Sequence, residues 1–331
     1  VFPSCGKMAA LKLIDEAQEQ LKRLEEALLQ KSEEFDSVIK MGRTQLQDAV
    51  PIRLGQEFHA YASAISRDIK RFDTAKEEIK SLNLGGTAIG TGLNADVQYF
   101  RRVVKNMAIL TGQDLVQSYD MIDATQNLDS YAVVSGITKN CAVNLSKMSN
   151  DLRLMSSGPK TGFGEINLPA KQNGSSIMPG KINPVIPEVV NQVCFNIIGN
   201  DVTITMAAEA GQLELNAFEP IIFYKLFQSI ETLAFAVKTL VDNCIVGITA
   251  NADHCRMMVE NSVGIITAIC PYVGYERAAE IAKEALRTNQ PVRKLILEKG
   301  IMNEEQLNNI LDPYHMTEPG IPGKDPMDAL K

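Results

Sequence analysis

Two adjacent hydroxyls, a cation and an amide fall close together in Gly174-Ser175-Ser176-Ile177-Met178-Pro179-Gly180-Lys181-Ile182-Asn183-Pro184. Ser175, Ser176, Lys181 and Asn183 offer the donors a small anion needs, on a backbone whose glycines can turn N–H groups inward. A solvated turn is the alternative. It leaves Ile177 and Met178 in water without a role, whereas loops mixing apolar and reactive side chains tend to close over a ligand. The segment is not a phosphate loop: five residues separate Gly174 from Gly180, and Ile182 stands where a Ser or Thr has to meet magnesium. The glycine-rich Gly86–Asn94 is not a dinucleotide fingerprint either, because it follows a helical pattern and lacks the G-x-G-x-x-G spacing.

His59, His254 and His315 are the only histidines and lie far apart, so neither a His-built zinc site nor an imidazole base is expected. No metal and no organic cofactor is expected. The six cysteines include no C-x-x-C pair and sit mostly in apolar periodic stretches, the pattern of buried free thiols in a reducing cytoplasm. A net charge of −7 over 331 residues argues against a nucleic-acid surface. No apolar run approaches the roughly 20 residues of a membrane span, so no membrane partner is expected.

Long helices must position these groups. Phe58, Tyr61, Ile65, Ile69, Phe72 and Ile79 recur at three- and four-residue steps, as do Tyr131, Val134, Ile137, Cys141, Leu145, Met148 and Leu152. Lys7–Ile39 repeats the pattern, while Glu188–Leu215 and Pro220–Val246 are apolar almost all round, as for helices inside a bundle or an oligomer. Three stretches interrupt: Lys40–Pro51, Asn83–Asn94 and Ser156–Pro187. Strand-like alternation is absent, so the expected class is all-α, a long-helix bundle. Shorter helices follow residue 252, among them one with Asn303 as N-cap and Gln306 closing a capping box. The expected domains are therefore 1–252, carrying the loop, and a small helical 253–331.

Gly174–Pro184 resembles the signature loop of the aspartase/fumarase superfamily, GSSxMPxKxNP, at every fixed position. Gly42-Arg43-Thr44-Gln45-Leu46-Gln47-Asp48-Ala49 and Gly85–Asn94 resemble two further motifs of that family, in the right order, and the likeness covers essentially the whole chain. It implies elimination of an amine or water across a C–C bond to release fumarate through an enediolate. It also implies a dicarboxylate substrate and a homotetramer whose active sites are shared between subunits. Gln45, the Val189–Phe195 segment, Gly211–Asn216 and Glu219-Pro220 are similar to the branch that removes ammonia from L-aspartate. The hydratase that interconverts malate and fumarate is the nearest alternative. A non-catalytic helical oligomer is the alternative of another class, disfavoured by Ser175, Lys181 and Asn183 occurring together.

By the same resemblance Ser175 is the base, acting as an alkoxide. A free serine is a very poor base and needs backbone N–H groups and a cation such as Lys181 to stabilise its oxyanion. Ser176 is implied as a donor to the carboxylate that becomes the enediolate. Lys181, Asn183 and Thr44 are implied as the clamp on the other carboxylate, and Gln45 as the neighbour of the amino group. Glu188 matches an acid that pairs with a histidine in relatives bearing His where Gln45 stands here; a buried structural carboxylate is the other reading. Thr87 is expected to pack its loop near the site. The family pattern also places substrate-contacting residues immediately before the Phe-Pro with which this chain opens. The chain is therefore expected to be a piece of a longer lyase, inactive alone, an expectation that an initiator Met directly before Val1 would overturn.

Overall fold

A computed structural model describes residues 1–174, 177–312 and 314–324. Ser175 and Ser176 lie outside the described residues. In chain order the elements are α1 (Phe2–Glu34), β1 (Ile39–Thr44), β2 (Gln47–Arg53), α2 (Leu54–Ile79), β3 (Ser81–Leu82), α3 (Val97–Thr111), β4 (Val116–Gln117), α4 (Asp123–Gln126) and α5 (Asp129–Met155). They continue with β5 (Ile166–Asn167), α6 (Val185–Glu209), α7 (Glu219–Asn243), β6 (Thr249–Ala250), α8 (Ala252–Asn261), α9 (Ile266–Val273), α10 (Tyr275–Thr288), α11 (Val292–Glu298) and α12 (Glu304–Ile310). Helices dominate, as the periodicity requires. Local chemistry sets several ends. Asp96 caps α3 by accepting the N–H groups of Gln98 and Tyr99, and Gly112 closes that helix in the left-handed conformation. The capping box of Asn303 and Gln306 opens α12 as the sequence predicts.

Contacts divide the chain into two units. Of the described residues, the first contains 1–27, 61–154, 169–174 and 177–247. Its core lines up the buried faces of α1 (Ile14, Leu21, Leu24), α5 (Tyr131, Leu145, Leu152) and α7 (Leu226, Leu233, Leu240). Phe223 packs on Phe2 and Tyr131, and a Cβ on Gly6 would lie 2.3 Å from the Phe223 ring, so glycine lets α1 approach α7. The Tyr131 hydroxyl donates to the Pro3 carbonyl at 2.6 Å, and burial holds its pKa far above the ordinary phenol range.

Helix α7 amends one sequence expectation. With the turn after it, Glu219–Gly247 does have the length and composition to cross a membrane, the one such helix among the described residues. Its inner stripe from Ile222 to Leu240 is buried within this unit, which accounts for the apolar composition as a core helix.

Of the described residues, the second unit contains 28–60, 155–168, 248–312 and 314–324. One apolar cluster joins Ile39 and Met41 of β1 to Val259, Ile265, Ile269, Ile281, Leu295, Ile296, Leu307 and Ile310. Here the structure departs from the sequence reading: the segment expected to be a plain connection forms an antiparallel hairpin, β1–β2, from Ile39↔Arg53 to Thr44↔Gln47. Its two-residue turn, Gln45-Leu46, has φ of 54° and 61°, the primed geometry that suits the twist of paired strands. Gln-Leu is not the Asn-Gly pair that announces such a turn, which is why the hairpin is hard to see in the sequence.

Glu219, at the start of α7, is buried, and that burial pushes its carboxyl up to about 7. An acid with a raised folded-state pKa leaves stability intact below its unfolded value and lowers it as pH rises through the folded value. Glu219→Gln should therefore match the parent near pH 4.5 and exceed it above pH 7 by about 1–3 kcal/mol, read from thermal unfolding across that range.

Candidate active site

Each unit carries part of the predicted set. In the first, Gly174 leads with φ of 78° toward Lys181, which is exposed, and Asn183, whose amide donates to Gln172 Oε1 at 3.3 Å. Ile177, Met178 and Ile182 are exposed beside them, so this loop presents apolar and polar groups to solvent together. The chain then enters α6 directly, with Glu188 in the first turn. Glu188 is not the buried carboxylate of the alternative reading: it is half-exposed and lies 3.7 Å from Arg153 Nη2. Arg153 also reaches Asn191 Oδ1 at 3.4 Å, and the Asn191 amide donates to the Ser146 carbonyl and hydroxyl at 3.1 and 2.9 Å. This polar chain fixes the first turns of α6 against α5.

Thr87 lies in the glycine-rich segment with φ of 58° and an exposed side chain. Packing there is carried instead by its neighbours: a Cβ on Gly90 would lie 2.3 Å from the Met121 carbonyl oxygen. Asn83 anchors the segment, accepting from Ser4 Oγ at 2.9 Å and donating to Thr125 Oγ1 at 3.1 Å. A β-branched residue with positive φ is a true outlier, and such strain collects at functional positions. Six non-glycine residues have positive φ among the described ones, namely Gln45, Leu46, Thr87, Asn94, Leu213 and Asn289. All but Asn289 fall in segments that the sequence singles out.

In the second unit, Thr44 and Gln45 stand exposed at the hairpin tip. Beneath them is an ionic cluster that sequence reasoning missed. Glu165, fully buried, receives Arg43 on Oε1 at 2.6 Å and Lys40 on Oε2 at 2.9 Å. Lys40 also meets Glu57 at 2.8 Å, and the Arg43 guanidinium lies 4.1 Å from the Phe163 ring centre. Burial alone would lower the Lys40 ammonium; Glu57 and Glu165 more than offset it and hold its pKa above the ordinary lysine value. The only signal in the sequence was a Lys and an Arg inside the interruption 40–51, and a lone acid between Gly164 and Ile166. No cluster of three or more metal-ligating side chains occurs among the described residues.

Residues 1–199 match the family model described as lyase, and residues 265–318 match that for the fumarase C C-terminus. The chain is 52% identical to an aspartate ammonia-lyase of Bacillus subtilis over 98% of its own length and 68% of that protein's. The chain belongs to the aspartase/fumarase lyase family. An aspartate ammonia-lyase of Helicobacter pylori is also 52% identical, over 96% of this chain and 68% of that protein. Among solved structures, a fumarate lyase:delta crystallin from Brucella melitensis bound to cobalt superposes with a TM-score of 0.93 at 48% identity, covering 96% of this chain and 69% of the other. A class II fumarase from Schistosoma mansoni gives 0.89 at 32% identity, over 94% and 69%. The long-helix fold is thus that of the family.

Leu46, exposed and left-handed, carries a conformational penalty with no burial to offset it. Leu46→Gly should raise stability by up to about 1 kcal/mol in denaturant titration; a clear loss would mean that the side chain itself is held by a partner.

Proposed function

We propose that this protein is a carbon–nitrogen lyase that eliminates ammonia from L-aspartate to give fumarate, reversibly. The observation that carries the reading is 52% identity to aspartate ammonia-lyases over nearly the whole chain, against 32% to the class II fumarase. Gln45, in place of a titrating side chain, suits a site that holds an ammonium group by a neutral acceptor.

In the proposed mechanism Ser175, as alkoxide, takes the proton from the carbon beside one carboxylate. The C–H electron pair moves into that carboxylate, which becomes an enediolate dianion stabilised by Ser176. The dianion then collapses to the C=C bond of fumarate, and the substrate ammonium leaves as ammonia. Lys181, Asn183 and Thr44 hold the second carboxylate, one charge and two neutral donors that fix orientation. Glu188, paired with Arg153 and standing in the first turn of α6, supports the loop end that carries Asn183. Thr87 is a supporting residue of the strained glycine-rich loop. No step calls for a metal or an organic cofactor. The division into 1–252 and a smaller helical 253–331 accompanies this reading, with the second family match lying wholly inside the latter.

We also propose a homotetramer with sites shared between subunits. Phe195, Val202 and Met206 of α6 are exposed while Val190, Cys194, Ile197 and Ile204 of the same helix are buried, so α6 has a second apolar face for other copies of this chain to cover. Cytoplasmic placement fits the six free thiols.

In the full protein, fumarate formation, followed by its ultraviolet absorbance, should be rapid from L-aspartate and weak from malate; turnover of malate alone would sink the ammonia-lyase reading. Ser175→Ala should lower turnover by about 10²–10⁴-fold or more while aspartate still binds, and near-normal activity would remove Ser175 as the base.

A further inference from the structure

We propose that Glu165 is a positioning residue: its buried carboxylate sets where the β1–β2 hairpin presents Thr44 and Gln45. The proposal rests on the role given above to that hairpin tip. Along a regular strand Lys40 and Arg43 would point to opposite faces. The register shift between Met41 and Arg43 sets two residues of β2, Ala49 and Val50, opposite Gly42, and the bend and added twist of this bulge accompany the meeting of both cations on one carboxylate. Gly42 makes this possible, because a Cβ there would lie 2.6 Å from the Val50 carbonyl oxygen of the partner strand. One carboxylate then receives both, with each oxygen committed to a different cation.

Glu165 is itself immobilised. Its N–H donates to the Met155 carbonyl at 2.9 Å, its carbonyl accepts the Asn251 N–H at 2.9 Å, and the Asn251 amide donates to the Gly164 carbonyl at 2.7 Å. His254 Nε2 bonds the Phe163 carbonyl at 2.9 Å, and Cys255 Sγ faces the Glu165 carbonyl at 3.7 Å. The hairpin tip has fewer ties, chiefly Asp48 accepting from the Ser262 hydroxyl at 2.7 Å. Lys40 keeps Glu57 as a second carboxylate, whereas Arg43, the residue next to Thr44, pairs with Glu165. A fixed anion grips the strand one residue before the substrate clamp. The link therefore runs from a loop with no substrate contact to the orientation of Thr44 and Gln45.

Glu165→Gln keeps the size and removes the charge; Glu165→Asp keeps the charge; Arg43→Gln perturbs the same link from the less buried side and guards against misfolding of the first. In the full protein, amide hydrogen exchange should accelerate by about tenfold or more over residues 39–53 in Glu165→Gln and Arg43→Gln, with α6 unchanged. The KM for L-aspartate should rise by about tenfold or more with kcat altered much less, and Glu165→Asp should lie nearer the parent than Glu165→Gln. Unchanged exchange in the hairpin, or parental KM in a folded Glu165→Gln protein, overturns the proposal. So does Glu165→Asp proving worse than Glu165→Gln. Exchange needs no substrate, so a parent protein without ammonia-lyase activity would defeat the functional reading and leave the positioning role to be decided by exchange alone.

Discussion

A carboxylate with no access to water, gripped by two cations, is the constraint around which the second unit is arranged. An unpaired buried charge costs several kcal/mol, so Glu165, Lys40 and Arg43 need one another once the apolar cluster of Ile39, Met41 and Val259 has closed beside them. Such a triad is poor evidence for net stability, since desolvation consumes most of the Coulombic gain. Its value is directional. A hydrophobic contact tolerates sliding, whereas a charge-assisted hydrogen bond from Arg43 and an ion pair with Lys40, on separate oxygens, fix the strand in register and rotation.

The first unit solves a different problem. Helix α6 buries Val190, Cys194, Ile197 and Ile204 yet also exposes Phe195, Val202 and Met206, so the apolar pattern alone cannot orient it. Polar contacts do so. Asn191 is buried against Ser146, and Asn200 donates to Ser229 Oγ at 3.1 Å on α7. Asp201 accepts from Ser135 Oγ at 2.7 Å and from Lys139. A slipped register would strand these groups without partners in the interior, a penalty that acts on specificity more than on bulk stability. The loop from Gly174 to Pro184 runs straight into this oriented helix, and Asn183 stands two residues before its first residue.

What could be read from the sequence was local. The stripes of α1, α2 and α5, the capping box at Asn303 and the signature loop each lie within a few turns of chain, and periodicity or spacing reports them directly. The β1–β2 hairpin escaped because Gln45 and Leu46 occupy turn positions that usually announce themselves as Asn and Gly, and because a bulge of Ala49 and Val50 opposite Gly42 breaks the alternation of β2. Lys40 and Arg43 lie inside the interruption 40–51 already singled out, yet nothing in their spacing points to a shared anion. Glu165 was invisible for the plainest reason: its partners lie more than a hundred residues away, and one acid in a glycine-rich loop resembles any other. Serine chemistry showed through residue type, whereas the electrostatics that orient the hairpin needed three-dimensional neighbours.

The separation between Arg43 and Glu165 also has a consequence for biosynthesis. Arg43 precedes its counter-ion by 122 residues. At about 5–20 residues per second, the hairpin leaves the ribosome roughly 6–24 s before the carboxylate that anchors it. Until then its two cations stay hydrated, and Met41 and Ile39 have neither Val259 nor Ile265 to pack on. Vectorial synthesis therefore delivers the substrate-facing strand first and its anchor last, so the hairpin can reach its final geometry only late in translation or after release.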